Sequence, residues 1–380
     1  MKAIINGNVV LENGIIWDGI IVLEGNKIVS AGKKNEVSVP DGAEIIDAKG
    51  AYVGPGFVDI HVHGGNGYQT YENPVEAADF FLQHGTTSLF ATPSYGMNCE
   101  SFLQAFVVTK EAMKTVKNLK GLYCEGPYTN PNYGAAADLN PWRHPICEKE
   151  FKALVDAGGK DVKVWAIAPE REGLFPFLEY ARKVNPDVIF ALGHSEATPM
   201  QVRALGKYKP TIMTHAMCAT GRQAVFAGTR GYGPDEYCFR EPDMYAEVIS
   251  DSCGIHVHSE MQQLLLHTKG VHRVILITDS TNSDEPSPEN FAHIDDLNFD
   301  HNGGLSGSKL TMDIACRNIM SHTNCGIAQA FLMASTNPAK AMGMGDEIGS
   351  IETGKIADLV FVDDRFRVKQ VMLDGEICNF

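Results

Sequence analysis

No stretch of about 20 apolar residues, the length that spans a bilayer, occurs anywhere in the chain. The opening MKAIINGNVV also carries no long apolar leader region. Positive charge is scarce: 32 Lys and Arg face 47 Asp and Glu, for a formal net charge of −15. That balance excludes a broad surface for a nucleic-acid backbone. An anionic small molecule would need a local cluster of donors instead. The nine cysteines never fall in C-x-x-C spacing, which argues against a zinc ribbon or a disulfide framework and for free thiols in a reducing compartment. Internal repeats and low-complexity tracts are absent as well. The expectation is a cytoplasmic protein with neither a nucleic-acid nor a membrane partner.

With 380 residues, the chain has room for a barrel of about 250 residues plus extra parts. The first 53 residues read as short strands, at 3–5, 9–11, 19–24, 27–32 and 44–47. Asn6-Gly7, Asn13-Gly14, Asp18-Gly19 and Asp41-Gly42 mark candidate reversals. Strand-like runs return at 357–362 and 368–373, before Asp374-Gly375. Between these ends strand and helix alternate. Apolar runs at 57–62, 86–91, 119–123, 162–167, 188–192, 211–213, 245–249 and 273–277 predict eight strands. Helical segments at 74–82, 99–117, 148–156, 174–183, 199–205 and 258–269 separate most of them, and 313–321 and 327–334 follow. This pattern predicts an α/β protein: a (β/α)8 TIM barrel over 54–344, with a small β-sandwich domain built from 1–53 and 345–380. The longest irregular stretches, 130–146, 216–242 and 280–304, follow strands three, six and eight. Loops at that barrel face usually carry function.

The first of the eight strands ends PGFVDIHVHG. Alternate side chains of a strand share a face, so His61 and His63 point together. Taken alone the pair is as well read as two hydrogen-bonded strand-end histidines. The other strand ends change the balance: Glu125 after strand three, His194 after five, His215 after six and Asp279 after eight. Side chains at the C-terminal ends of barrel strands ring one cavity. Imidazoles and carboxylates are the ligand set for zinc and similar divalent ions. Each residue has an ordinary structural role open to it, a helix cap or an ion pair. Six coincidences at equivalent positions are harder to sustain than one metal site.

At this point the chain resembles a known family. PGFVDIHVHG, CEGPYTNP, AIAPE, GHSEAT, GIHVH, LITDS, GGLSGSKLTMDIACRNIM and STNPAKAMGMGDEIGSIETGKIADLVFVD are similar to segments of the amidohydrolase superfamily and, within it, of the N-acetylglucosamine-6-phosphate deacetylase family. The resemblance implies metal-dependent hydrolysis of the acetamide of N-acetylglucosamine 6-phosphate. It implies one or two divalent ions, with zinc ahead of iron, manganese or cobalt. Glu125, His194 and His215 match the family's main metal ligands, and His61 and His63 the pair that holds a second ion in some members. Asp279 matches the general base, which would later return its proton to the leaving amine. His256 matches a histidine that reaches the phosphate from a neighbouring subunit, which implies a homodimer. Ser306 and Gly307 match a segment that contacts the sugar's acyl end. Related cyclic-amide hydrolases carry a carboxylated bridging lysine at the end of strand four; Lys163 lies near the start of that strand, which disfavours that subclass.

Two substrate-binding stretches depart from the family. Where Lys-Gly-Ala-His is typical, Tyr133-Gly134-Ala135-Ala136 stands here, placing Ala136 at the histidine. Where an Asn-Ala pair helps hold phosphate, Cys218 and Ala219 align. Arg222 is the nearest candidate for a phosphate-binding arginine, with Arg230 and Arg240 as rivals. Deacylation of another N-acyl amino sugar or acylated amine by the same chemistry is therefore the alternative. A non-catalytic barrel scaffold ranks below both, since no ligand position is lost.

Overall fold

A computed structural model describes residues 1–224, 226–283 and 285–380. Eight parallel strands lie side by side in chain order: Phe57–Val62, Thr86–Ala91, Leu119–Cys124, Val162–Ile167, Ile189–Leu192, Ile212–Met213, Tyr245–Ile249 and Val274–Ile277. Every residue of Phe57–Val62 and of Thr86–Ala91 is buried. Burial on both faces is usual for parallel strands covered by helices, and the polar residues these two strands carry, among them Asp59, His61 and Thr86, are buried with the rest. The strand ladder stops between the last strand and the first. Asp59 spans this seam: its Oδ2 accepts from Thr278 Oγ1 at 2.5 Å. Just beyond, the Asp279 N–H donates to the His61 carbonyl at 3.0 Å.

Helices cover the outside of the barrel. Leu174–Val184 buries Leu174, Phe177, Leu178 and Ala181, a stripe at helical spacing facing the sheet. Pro199–Ala204 opens on a capping box between Thr198 and Gln201. The helix at Cys99 stops at Ala112, earlier than expected, and Lys117 instead pairs with Asp374 of the terminal domain at 2.5 Å. The expected helix over 327–334 is α only through Phe331 and continues as a wide π turn over Leu332–Thr336. Phe331 lies against Gly54, where an added Cβ would be 2.2 Å from its ring. Ser335 Oγ donates to the Pro55 carbonyl at 3.2 Å. This turn is the seat of the terminal domain on the barrel.

The small β domain of both termini is one connected eight-stranded sheet. Leu359–Val362 pairs antiparallel with Tyr52–Pro55, joining the two ends of the chain. Ile4, Ile21, Leu23, Val53, Leu359 and Phe361 belong to its separate core. We propose that 1–53 and 345–380 are one folding unit, with the first boundary moved to Pro55 because that strand continues to it. Two expected reversals are instead irregularities inside long strands. Asn6 (φ 55°) and Asp18 (φ 50°) sit in the left-handed region within Lys2–Leu11 and Gly14–Glu24, and the pairing register shifts around Gly7. Asx-Gly pairs suit a bulge as well as a turn, since both need positive φ.

Candidate metal centre

The strand ends turn sharply to present the six side chains. His194, His215 and Asp279 all have positive φ, at 43°, 27° and 46°. For residues with a Cβ this is a sparsely populated conformation that surrounding structure must enforce, and such strain concentrates at functional sites. None of the six exceeds 7% exposure. They form two groups, Glu125 with His194 and His215, and His61 with His63 and Asp279; within each, the possible donor atoms lie within 4.8 Å of one another. Glu125 Oε1 is 2.6 Å from His194 Nε2 and 3.1 Å from His215 Nε2, and these two nitrogens are 3.0 Å apart. Asp279 Oδ1 lies 3.2 Å from His63 Nε2 and 3.6 Å from His61 Nε2. Glu125 also faces the second group, 3.7 Å from His61 Nε2 and 3.5 Å from His63 Nε2.

The donor set fits divalent cations. His63 Nδ1 is 2.7 Å from the Thr92 carbonyl, which can only accept, so that nitrogen carries the proton. In the neutral ring, Nε2 then presents a lone pair toward Asp279 and Glu125. His61 Nδ1 faces Glu247 Oε2 at 3.2 Å, and its Nε2 is buried with no hydrogen-bond partner. Bare nitrogens aimed at carboxylate oxygens repel unless a cation lies among them. Outer partners that fix the ring tautomer are a regular feature of metal-binding histidines. Without an ion, protons take its place. Burial disfavours a charged His215, but its hydrogen bond to Glu125 and the charges of Asp279, Glu125 and Glu247 push it up to about 9. Burial holds His194 below the ordinary histidine range despite Glu125. Against burial, His194, His215 and His63 hold Glu125 well below the usual carboxylate range. An entering cation displaces these protons.

Five of the six, all but His61, open on a cavity of about 480 Å³ at the barrel mouth. Of the residues expected to bind substrate, Cys218, Ala219, His256, Ser306 and Gly307 line it and Ala136 does not; its neighbours Gly134 and Ala135 do. Arg222 is also outside the lining. It lies half-exposed, 3.7 Å from Glu236, and Arg230 approaches the same carboxylate at 3.4 Å. Arg240 is 4.0 Å from Glu241. No Lys or Arg lines the cavity among the described residues. His256, expected to reach a neighbouring site, lines the cavity of its own chain. Its Nδ1 is 3.1 Å from Asp251 Oδ2 and its Nε2 3.1 Å from the Gly307 carbonyl, and these two partners hold the ring there. Burial opposes charge on Asp251, yet the His256 ring and the Ile255 and His256 N–H groups hold it down to about 2.

Among the cavity residues that escaped the sequence reading, Tyr95, Tyr71 and Asp300 carry titratable groups. Tyr95 packs its ring 4.6 Å from that of His194 and donates its hydroxyl to the Ala135 carbonyl at 3.1 Å. Tyr71 and Asp300 also line the cavity. The available signals were TPSYG at the end of strand two and a turn-rich FDHNGG, both too short to separate from ordinary loop chemistry. Lys163 stays at the start of its strand; Glu170, beyond the far end, accepts from Ser195 Oγ at 2.7 Å and Asn130 Nδ2 at 3.0 Å and so braces two of the loops.

The amidohydrolase family profile matches residues 52–378. The chain is 28% identical to the N-acetylglucosamine-6-phosphate deacetylase of Bacillus subtilis (strain 168), with 97% of this chain and 95% of that protein covered. It is 27% identical to the N-acetylgalactosamine-6-phosphate deacetylase of Escherichia coli O157:H7, covering 86% of this chain and 87% of that protein. The crystal structure of N-acetylglucosamine-6-phosphate deacetylase from Pasteurella multocida superposes with a TM-score of 0.86 at 25% identity, over 100% of both chains.

Proposed function

Because this chain belongs to the amidohydrolase family, we propose that it hydrolyses the acetamide of N-acetylglucosamine 6-phosphate to acetate and glucosamine 6-phosphate. The observation that carries the reading is the convergence of five buried imidazole and carboxylate ligands with one further carboxylate, Asp279, at the mouth of a barrel whose relatives are deacetylases of this type.

Glu125, His194 and His215 are proposed to hold one divalent ion, and His61 and His63 a second. Zinc suits this set of nitrogen and carboxylate donors. When bound, such an ion polarises the acetamide carbonyl and lowers the pKa of water to near neutrality. Asp279 takes the proton of the attacking water and passes it to the leaving amine, acting first as base and then as acid. Its ionised form is ready for the first role: burial works against it, but His61 and His63 keep the carboxyl below the usual range. Cys218, Ala219, His256, Ser306 and Gly307 are proposed to contact the sugar. Arg222 is retained only as a residue that would have to leave Glu236 to do so.

The cationless wall favours a second reading, deacylation of an N-acyl amino sugar whose distal group is not phosphate. It equally supports a homodimer, in which a second copy would supply the missing donors. Nine free thiols support a reducing compartment such as the cytoplasm. No described helix is long and apolar enough to cross a membrane. The test is amine release by metal-reconstituted protein from N-acetylglucosamine 6-phosphate, its galactosamine and mannosamine counterparts, unphosphorylated N-acetylglucosamine and a panel of N-acyl amino acids. Preference for the first supports the main reading. Turnover confined to unphosphorylated substrates replaces it with the second.

A further inference from the structure

Glu247 is the one acidic residue of the seventh barrel strand, Tyr245–Ile249, and it has no exposed surface. A carboxylate there must be repaid by specific partners, since an unpaired buried charge is strongly disfavoured. Its Oε2 has two. One is His61 Nδ1 at 3.2 Å. The other is the backbone N–H of His215 at 3.1 Å. A single oxygen therefore touches one member of each ligand group. The second oxygen, Oε1, is buried with no hydrogen-bond partner. The Tyr123 ring packs 4.7 Å from the His61 ring. The Tyr123 hydroxyl lies 2.8 Å from Thr214 Oγ1.

We propose that Glu247 is the positioning residue of this centre. It holds His61 in the tautomer protonated on Nδ1, which leaves Nε2 bare toward Asp279 and Glu125. By gripping the His215 N–H as well, it ties the strained turn of one ligand group to the ring orientation of the other. Glu247 touches neither substrate nor ion; it acts through His61. His63 gets the same service from the Thr92 carbonyl, so the two histidines of the first strand are set by different kinds of acceptor. A carboxylate raises the basicity of the ring it holds more than a carbonyl does. The proposal rests on reading His61 as a metal ligand.

The test pairs Glu247→Leu, which removes the acceptor at similar volume, with Glu247→Gln, whose amide oxygen can still accept. Zinc titration followed by elemental analysis gives the two affinities separately. The expected result for Leu is about 10–100-fold weaker binding at His61 and His63, with a change of at most a few-fold at the Glu125, His194 and His215 place. Gln restores most of the loss. Equal affinities in wild type and Leu overturn the proposal. So does a Leu variant that loses both ions to the same degree without rescue by Gln, since a merely structural role behaves that way. Should Leu fail to fold, two-bond 1H–15N spectra of metal-free wild-type protein decide. A His61 protonated on Nδ1 supports the assignment, and one protonated on Nε2 overturns it. Wild-type protein that takes up no second ion refutes the reading of His61 as a ligand, while the tautomer spectrum still judges Glu247 by itself.

Discussion

Asp279→Asn isolates the proton-transfer role from everything else that Asp279 does. The substitution keeps shape, and Asn tolerates the left-handed conformation that Asp279 adopts at φ 46°. The backbone ties persist: the Asp279 N–H still donates to the His61 carbonyl at 3.0 Å, and the Asp279 carbonyl still accepts from Ser308 at 2.8 Å. The fold should therefore survive. What disappears is a carboxylate 3.2 Å from His63 Nε2 that can accept a proton. General acid–base catalysis contributes about 10²–10⁴-fold. Each tenfold is about 1.4 kcal/mol of barrier, so the loss should correspond to about 3–5 kcal/mol. Turnover should fall by that factor, while the ion held by Glu125, His194 and His215 stays bound and the melting temperature changes little. Amine release under saturating substrate, metal content and thermal melting on one preparation separate the terms. Turnover within about tenfold of wild type would refute a general acid–base role, which predicts a loss of at least about 100-fold. A parallel loss of all bound metal would show that Asp279 acts as a ligand first.

His194→Ala should weaken the ion proposed at Glu125, His194 and His215 by more than the about 10–100-fold typical of losing an outer partner; metal titration checks it, and full occupancy removes His194 from the ligand set. Asp251→Asn should release the His256 ring and raise KM more than it lowers kcat, read from steady-state amine release. The same carboxyl gives a pH signature. Its folded value of about 2 lies below the ordinary 3.8, so its stabilisation is present above about pH 4 and fades as pH falls toward 2. The melting difference between wild type and Asp251→Asn should shrink over that window, and a constant difference would contradict the pairing. Phe331→Ala opens a cavity between Gly54, Phe57 and Phe366, whose rings lie 5.7 Å and 5.0 Å from its own in the case of the two phenylalanines; it should cost about 3–5 kcal/mol in denaturant unfolding.

The barrel was legible because its signals are local and repeated. Each strand is a short run, His61 lies in the first of them, and His63, Glu125, His194, His215 and Asp279 each follow a run by one or two residues, so the candidate site could be found by counting. The terminal sheet was legible in content but not in connection. Asn6-Gly7 and Asp18-Gly19 carry the same left-handed preference whether a chain reverses or bulges, and only pairing partners distant in sequence decide between them. The π turn at Leu332–Thr336 has no pattern of its own; it follows from seating Phe331 on Gly54.

The substrate wall was least legible, for a reason specific to charge. An arginine in a sequence carries no label for its partner. Arg222 sits near the aligned phosphate position, but Glu236, on the helix Pro234–Arg240, lies within reach of both Arg222 and Arg230. That helix lies inside a stretch expected to be irregular. Its first turn is further fixed by Asp235, whose carboxylate accepts from Thr220 Oγ1 at 2.6 Å and the Met217 N–H at 2.7 Å. The turn bearing Cys218 and Ala219 is thus pinned to the helix that draws the arginines away. A phosphate-binding role for Arg222 requires that a ligand's anion replace Glu236 as its partner. Glu236→Gln should therefore free Arg222 and Arg230 and lower KM for phosphorylated substrates while leaving unphosphorylated ones unchanged. An equal effect on both classes would remove these arginines from substrate recognition and leave the phosphate end to residues of another copy or to no cation at all.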